Sequence, residues 1–278
     1  MKLLLVNGNT TQAVTDRVLA EARRCAAPGT EVTAATARFG VNIVSTEAEN
    51  DIAAHAILDT LSATHAGHDA AILAISFDTA LAGARQILPI PVIGMTEAAL
   101  HTACLLGRRF GLISFGTASR WLYLDLVRRS GLLERMVGFE TIELTTTENY
   151  LREGAQDQLV CEASERLLSA GAEAIVVTGA AVAGIAHRLA PLIPAPIVDG
   201  LVALLDRRSI WCAWVYATDT LRANARRRAT LVGSARNWCR NWSNYDFSAA
   251  AAVGQLFAGP IPRQCRARRK VRFLEAQV

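Results

Sequence analysis

Lysine is nearly absent from this chain. Lys2 and Lys270 are the only two lysines among 278 residues, although lysine and arginine together number 29. This scarcity excludes most reactions that pass through a lysine Schiff base, and most phosphate sites that are built on a lysine.

Paired cysteine and histidine motifs are also lacking. The six cysteines show no CxxC pair and no regular spacing, so neither a zinc site nor a disulfide framework is indicated. His65 and His68 have no third ligand in view. We therefore predict buried free thiols, no metal and no cofactor. The cysteines are Cys25, Cys104, Cys161, Cys212, Cys239 and Cys265.

No long apolar run is found either. A membrane span needs about 20 uninterrupted apolar residues, and no segment approaches that length. The apolar start of the chain is short and is interrupted by Asn7 and Asn9, unlike a signal peptide. The sequence predicts a cytoplasmic protein without a membrane partner.

Residues 1–200 alternate short apolar runs with helical patterns, which indicates an α/β fold with largely parallel sheets. The runs are uniformly apolar, as in strands that helices cover on both faces. The predicted strands are 3–6, 32–35, 71–75, 92–94, 110–114, 138–143, 174–178 and 196–198. The predicted helices include 11–25, 47–64, 97–106, 118–130 and 155–170.

Residues 201–278 differ in character from the rest. They hold 14 basic and 4 acidic residues, and four of the five tryptophans lie between 206 and 246. Basic residues among aromatics can indicate nucleic-acid binding, but a poorly ordered tail and a locally shifted reading frame give the same composition. Nucleic-acid binding is the least favoured of the three.

Three predicted strands end in short runs of glycine and hydroxyl or amide residues before a helix. These junctions begin at Val6, Ser114 and Val177. Ligands bind at such strand ends in parallel sheets, where free helix amides attract a carboxylate or an imide oxygen. Helix capping explains any one junction equally well. Three together favour a shared anion-binding cleft.

Five blocks carry a family resemblance over residues 1–205: 7–11, 75–81, 91–99, 171–179 and 196–200. In this order and spacing they resemble the Asp/Glu racemase superfamily, and within it the hydantoin and allantoin racemase branch. The resemblance implies two pseudo-symmetric Rossmann-like lobes, with the active site in the cleft between them. Lobe 1 is expected at 1–95, with part of the C-terminal region packing back on it. Lobe 2 is expected at 96–200, and 201–278 is an atypical C-terminal region. The resemblance also implies a small-molecule substrate and a homo-oligomer.

The resemblance implies a mechanism in which one cysteine from each lobe takes part in proton transfer at an acidic carbon of the substrate. The first cysteine position falls at Ser76 and the second near Gly179, where Thr178-Gly179-Ala180 replaces the usual Gly-Cys-Ala. No cysteine of this chain lies in either motif. A hydroxyl is far too weak a base at neutral pH to replace a thiolate directly.

Oxygen and nitrogen groups at the strand ends remain as candidates. Asp78 could point into the cleft or cap the helix expected near Thr79. Glu97 could complement a helix dipole, or pair with His101 one turn later. His187 and Asp199 are weaker candidates. The predicted catalytic residues are Ser76, Asp78, Glu97 and Thr178, and the predicted substrate-binding residues are Asn7, Asn9, Thr10, Ser76, Thr117, Ala118, Thr178 and Gly179.

Three functions are compatible with these residues. The first is an isomerase that abstracts a proton from a small cyclic ureide, hydantoin or amino-acid derivative without two cysteines. The second is a hydrolase or lyase that opens a ring or cleaves a C–N bond. The third is a catalytically silent ligand-binding relative. The resemblance favours the isomerase.

Overall fold

Two four-stranded parallel sheets form the framework of the chain, in a computed structural model that describes residues 1–143 and 147–205. The first sheet has the order β2-β1-β3-β4 and the second β6-β5-β7-β8, and every pairing is parallel. The strands are β1 (Lys2–Asn7), β2 (Glu31–Thr36), β3 (Ala70–Leu73), β4 (Val92–Gly94), β5 (Phe110–Phe115), β6 (Met136–Ile142), β7 (Ala174–Val177) and β8 (Ile197–Val198).

Helices connect the strands, as crossovers between parallel strands require. Short 3₁₀ turns at Thr117–Ser119, Leu133–Arg135 and Ala180–Val182 supplement them. The helices are α1 (Gln12–Cys25), α2 (Glu47–Thr64), α3 (Leu81–Ile87), α4 (Met95–Leu106), α5 (Arg120–Arg129), α6 (Thr147–Leu151), α7 (Asp157–Ser169), α8 (Ile185–Leu189) and α9 (Gly200–Leu205).

The two sheets repeat one topology, which confirms the predicted α/β fold with two pseudo-symmetric lobes. In each sheet the first strand of the lobe lies between the second and the third. Every residue of β3, β5 and β7 is buried, which explains why these runs are uniformly apolar. The parallel order brings the carboxyl ends of the strands to one edge of each sheet.

Local sequence signals define the helices that cover the sheets. On α1, Val14, Val18 and Ala22 recur every four residues and are buried, the spacing of one helix face. At α2, the Thr46 hydroxyl accepts from the Glu49 amide, and the Glu49 carboxylate accepts from the Thr46 amide. This capping box fixes where α2 begins.

Helix α4 joins the two lobes, which lie in one compact unit. It follows β4 of the first sheet directly, yet it packs on α9, β7 and β8. At Gly200 a Cβ atom would lie 2.6 Å from the Met95 carbonyl oxygen, so glycine permits this close approach. Helix α9 also packs on α1 of the first lobe. Whether the lobes divide at residue 95 remains a prediction.

Most boundaries differ by one or two residues from those predicted, and two of these differences lie next to candidate site residues. Strand β3 ends at Leu73, and the next helix begins only at Leu81, because Asp78 and Ala80 both have positive φ, 49° and 62°. The expected helix 118–130 begins with the 3₁₀ turn Thr117–Ser119 before α5. Residues 206–278, with their tryptophans and Cys212, Cys239 and Cys265, lie outside the described residues. Within 1–143 and 147–205 we find no helix with the length and apolarity of a membrane span.

Candidate active site

A cavity of about 740 Å³ opens where the tips of both sheets meet. Its walls come from the loop after β2, the start of α2, the turns after β3, β5 and β6, and the helices α5 and α6. The described residues that line it are Val41, Asn42, Ile43, Val44, Ser45, Glu49, Ser76, Phe77, Phe115, Gly116, Thr117, Ala118, Tyr123, Glu143 and Tyr150. Its volume suits a small ring compound.

Ser76 faces the other lobe directly. Its Oγ accepts a 3.3 Å hydrogen bond from the Ala180 amide. Ser76 is the third residue after β3, which ends at Leu73, and Ala180 is the third residue after β7, which ends at Val177. The pseudo-symmetric counterpart of Ser76 is therefore Ala180, one position beyond the Gly179 that the sequence suggested.

Tyr123 joins the two strand tips. Its phenol lies close to the side-chain hydroxyls of Ser76 and Thr178, which act to lower its pKa. The Thr178 Oγ1 donates to the Ile113 carbonyl at 3.0 Å, so toward Tyr123 it can only accept. The hydroxyls of Ser76, Tyr123 and Thr178 therefore lie together where the two lobes meet.

The Tyr123 phenol is a neutral donor at physiological pH. Burial raises its pKa to about 12, against the opposing effect of the nearby Ser76 and Thr178 hydroxyls. Its ring packs against Phe77, with the ring centroids 4.8 Å apart, and against Phe139 at 6.0 Å. These contacts fix the phenol at the cavity wall.

A carboxylate of the chain occupies the turn after β5. The Thr117 amide donates to Glu143 Oε1 at 3.0 Å. Gly116 has a φ of 78°, a backbone conformation that glycine adopts without strain. Thr117, Ala118 and Glu143 are all exposed, so this part of the site lies at the cavity mouth.

The charged side chains among the described residues that line the cavity are both acidic, Glu49 and Glu143; no arginine, lysine or histidine lines it there. Burial acts to raise the pKa of Glu49, but hydrogen bonds from the Ser45 and Thr46 amides outweigh it and lower that pKa. Glu49 is thus held as a carboxylate by its capping box.

Asn7 and Asn9 hydrogen-bond within their own loop. The Asn7 Nδ2 donates to Asn9 Oδ1, the Thr11 carbonyl and Thr15 Oγ1. The Asn9 Oδ1 accepts from the Thr11 amide at 2.9 Å. The Thr10 hydroxyl donates to Asn42 Oδ1. Thr10 therefore contacts the loop after β2, which lines the cavity, but does not line the cavity itself. The first predicted junction therefore supports the cavity without lining it.

Asp78 caps α4 rather than the helix near Thr79. Its two carboxylate oxygens accept from the Thr96 amide at 3.0 Å and the Glu97 amide at 2.6 Å. Burial raises the pKa of Asp78 to about 7, against these two hydrogen bonds. The Thr96 hydroxyl also donates to the Ser76 carbonyl at 2.6 Å. The turn that carries Ser76 is thus fastened to the start of α4.

Glu97 and His101 line a different cavity, of about 610 Å³, together with Asp78 and Arg85. Glu97 forms an ion pair of 2.9 Å with Arg85, so the structure brings Glu97 to α3 and not to Ser76. Phe77 lines both cavities.

The remaining candidates lie elsewhere. Cys25, Cys104 and Cys161 are free thiols, but they are half-buried rather than buried as predicted, and none of them lines the cavity of about 740 Å³. Asp199 accepts from the amides of Gly184, Ala186 and Leu201. In the described part of the chain, no group of three or more histidine, cysteine or acidic residues could hold a metal ion.

Sequence reasoning missed Tyr123, Glu143 and Tyr150. Tyr150 is buried, its ring lies 5.5 Å from Phe115, and its Oη lies 2.7 Å from where a Cβ on Gly179 would stand. Tyr123 is on the helix that follows the β5 junction, so tracing each junction helix for polar aromatics could have found it. Glu143 carries no comparable signal, because an acidic residue at a strand end is common.

Comparison with known proteins gives one consistent result. The sequence profile of the Asp/Glu/hydantoin racemase family matches residues 3–207. The chain is 25% identical over 233 residues to a hydantoin racemase of Paenarthrobacter aurescens, covering 83% of this chain and 98% of that protein. It is 27% identical over 229 residues to a hydantoin racemase of Rhizobium meliloti, covering 81% and 94%. The allantoin racemase structure from Klebsiella pneumoniae superimposes with a TM-score of 0.69 at 27% identity, covering 80% of this chain and 88% of that one.

Proposed function

Since the chain belongs to the Asp/Glu/hydantoin racemase family, we propose that it is an isomerase that moves a proton at the acidic carbon of a small cyclic ureide such as a hydantoin. The cluster of hydroxyls of Ser76, Tyr123 and Thr178, at the meeting point of two strand tips, is the observation that carries the proposal. The cavity of about 740 Å³ has room for such a ring.

The hydroxyls suit the charge that this reaction develops. When a proton leaves a carbon next to a carbonyl, the electron pair moves onto the carbonyl oxygen, and fixed donors aimed at that oxygen lower the barrier. Ser76 and Tyr123 supply these donors, and Thr178 lies beside the Tyr123 phenol. Thr117 and Ala118 contact the ring at the mouth. Asp78 acts as a positioning residue, through the turn that carries Ser76.

The proton transfer differs from a two-thiol reaction. With Ser76 and Ala180 at the facing tips, no thiolate is available there to remove the proton. We propose that a carboxylate of the cavity lining, Glu49 or Glu143, takes the proton from the acidic carbon through a water molecule and returns a proton through water to the opposite face. We expect this transfer to be slower than transfer to a thiolate, which is the stronger base at neutral pH.

Incubation of one enantiomer of a 5-substituted hydantoin in D₂O tests the proposal. We expect the optical rotation to decay while one deuterium enters at C5, both faster than without protein. A Ser76→Ala/Tyr123→Phe double variant should reduce the rate toward the background. A product of new mass would instead indicate a ring-opening hydrolase or a lyase. Binding without deuterium uptake would indicate a silent relative. Either outcome contradicts an isomerase.

A further inference from the structure

The hydrogen bond between Glu143 and Thr117 fills the position where an anionic ligand would be expected to bind. The Thr117 amide, at the turn after β5, is the backbone donor to which a substrate carboxylate would be expected to bind. It already donates to Glu143 Oε1 at 3.0 Å. A ligand carboxylate would therefore have to displace a carboxylate of the chain itself.

Glu143 also presents an acceptor to the cavity. Its side chain is exposed at the mouth, and Oε2 has no hydrogen-bond partner among the residues that the structure describes. A carboxylate oxygen only accepts, so it matches the N–H edge of a ureide or imide. The donors Ser76 and Tyr123, also in the lining, match its carbonyl oxygens.

The negative charge of the cavity lining also disfavours a ligand carboxylate. Glu49 adds a second negative charge to the lining. Arg120 donates to the Phe139 carbonyl and to Thr141 Oγ1, and Arg17 donates to the carbonyls of Ala181 and Leu151. Neither of them lines the cavity.

We propose that Glu143 is a specificity-determining residue that admits neutral, N–H-bearing rings and excludes carboxylates such as free amino acids and dicarboxylic acids. This inference rests on the proposed function and names the substrate class for it. Like charges a few ångströms apart at the edge of a protein repel strongly enough to weaken binding at least about tenfold.

A matched ligand pair tests the proposal: 5-(carboxymethyl)hydantoin and its primary amide, which share one shape and differ in charge. Titration calorimetry at neutral pH and low salt would measure both dissociation constants. We expect wild-type protein to bind the amide at least about tenfold more tightly than the acid. In Glu143→Gln the side-chain carbonyl still accepts from the Thr117 amide while the charge is gone, so the ratio should fall to within about threefold.

Glu134→Gln is the control, because it removes the same charge from an exposed turn outside the cavity and should leave the ratio unchanged. Equal binding of acid and amide to wild-type protein would overturn the proposal, and so would a ratio that Glu143→Gln does not change. If neither compound binds wild-type protein, the proposed function itself fails. Failure of the proposed role of Glu143 can therefore be told apart from failure of the proposed function.

Discussion

The Ser76 hydroxyl accepts a hydrogen bond from the amide of Ala180, which lies 104 residues further along the chain. Both residues stand three positions beyond a central strand, β3 in one lobe and β7 in the other. The bond therefore joins equivalent points of a repeated fold. We therefore expect two groups that act on opposite faces of one carbon to stand at these two positions.

Installing thiols at both positions tests this equivalence. We expect Ser76→Cys/Ala180→Cys to speed hydantoin racemisation by at least about 100-fold, because a thiolate is a competent base at neutral pH and a hydroxyl is not. Optical rotation and deuterium uptake at C5 would measure the gain. Thr117→Cys, a thiol at the cavity mouth, is the control and should give little gain. An equal gain in the control would mean that the two tips have no special relation to the reacting carbon.

Tyr123 should contribute to ligand binding through its hydroxyl. In Tyr123→Phe the ring contacts with Phe77 and Phe139 stay, while the donor to a ligand oxygen is lost. We expect binding of a neutral hydantoin to weaken by about 1 kcal/mol, the typical contribution of one hydrogen bond. Calorimetry would measure it, with Tyr150→Phe as the matched control for removing a buried phenol. Comparable weakening in both variants would contradict a specific role for Tyr123.

More of the fold than of the candidate site could be predicted from the sequence. The uniformly apolar runs reveal buried parallel strands, and the five blocks of family resemblance reveal two lobes. The partners of Asp78 and Tyr123 could not be predicted, because they depend on contacts between distant elements. Asp78 reaches α4 only because two residues with positive φ bend its turn. Asn7 and Asn9, which are predicted to bind substrate, form hydrogen bonds within their own loop in the structure, and the sequence pattern did not indicate these bonds.

Asp78 should make stability depend on pH in a defined direction. Burial raises its pKa from 3.8 to about 7 in the folded protein, so the folded state holds the proton more tightly than the unfolded chain does. The resulting stabilisation is fully present below about pH 4, and it is lost as the pH rises through about 7. Each pKa unit by which the folded and the unfolded states differ corresponds to about 1.4 kcal/mol of unfolding free energy.

Asp78→Asn isolates this effect, because asparagine does not titrate. We expect the unfolding free energy of wild-type protein minus that of Asp78→Asn to be larger at pH 5 than at pH 8. Urea denaturation at both values would measure it, and the subtraction cancels the titration of the other carboxylates. A difference that grows toward pH 8 would mean that the two amide hydrogen bonds outweigh burial and hold the carboxylate ionised.

Gly94 should be intolerant of any side chain, because the Asp78 carboxyl group fills the space beside it. A Cβ on Gly94 would lie 2.2 Å from the Asp78 Cγ and 2.5 Å from both carboxylate oxygens. Gly94→Ala therefore forces Asp78 away from the start of α4 and disturbs the turn that carries Ser76. We expect a loss of about 1–3 kcal/mol in unfolding free energy, as for other overpacked sites, together with weaker hydantoin binding.

Gly83→Ala is the matched control for that substitution. Gly83 lies in α3, where a Cβ would meet Leu58 at an ordinary 3.8 Å, so alanine should be neutral or stabilising by up to about 1 kcal/mol. Urea denaturation and calorimetry on both variants would separate a general intolerance of alanine from the specific contact with Asp78. If Gly94→Ala keeps both its stability and its ligand affinity, the link from Asp78 through α4 to Ser76 is not needed to position the site.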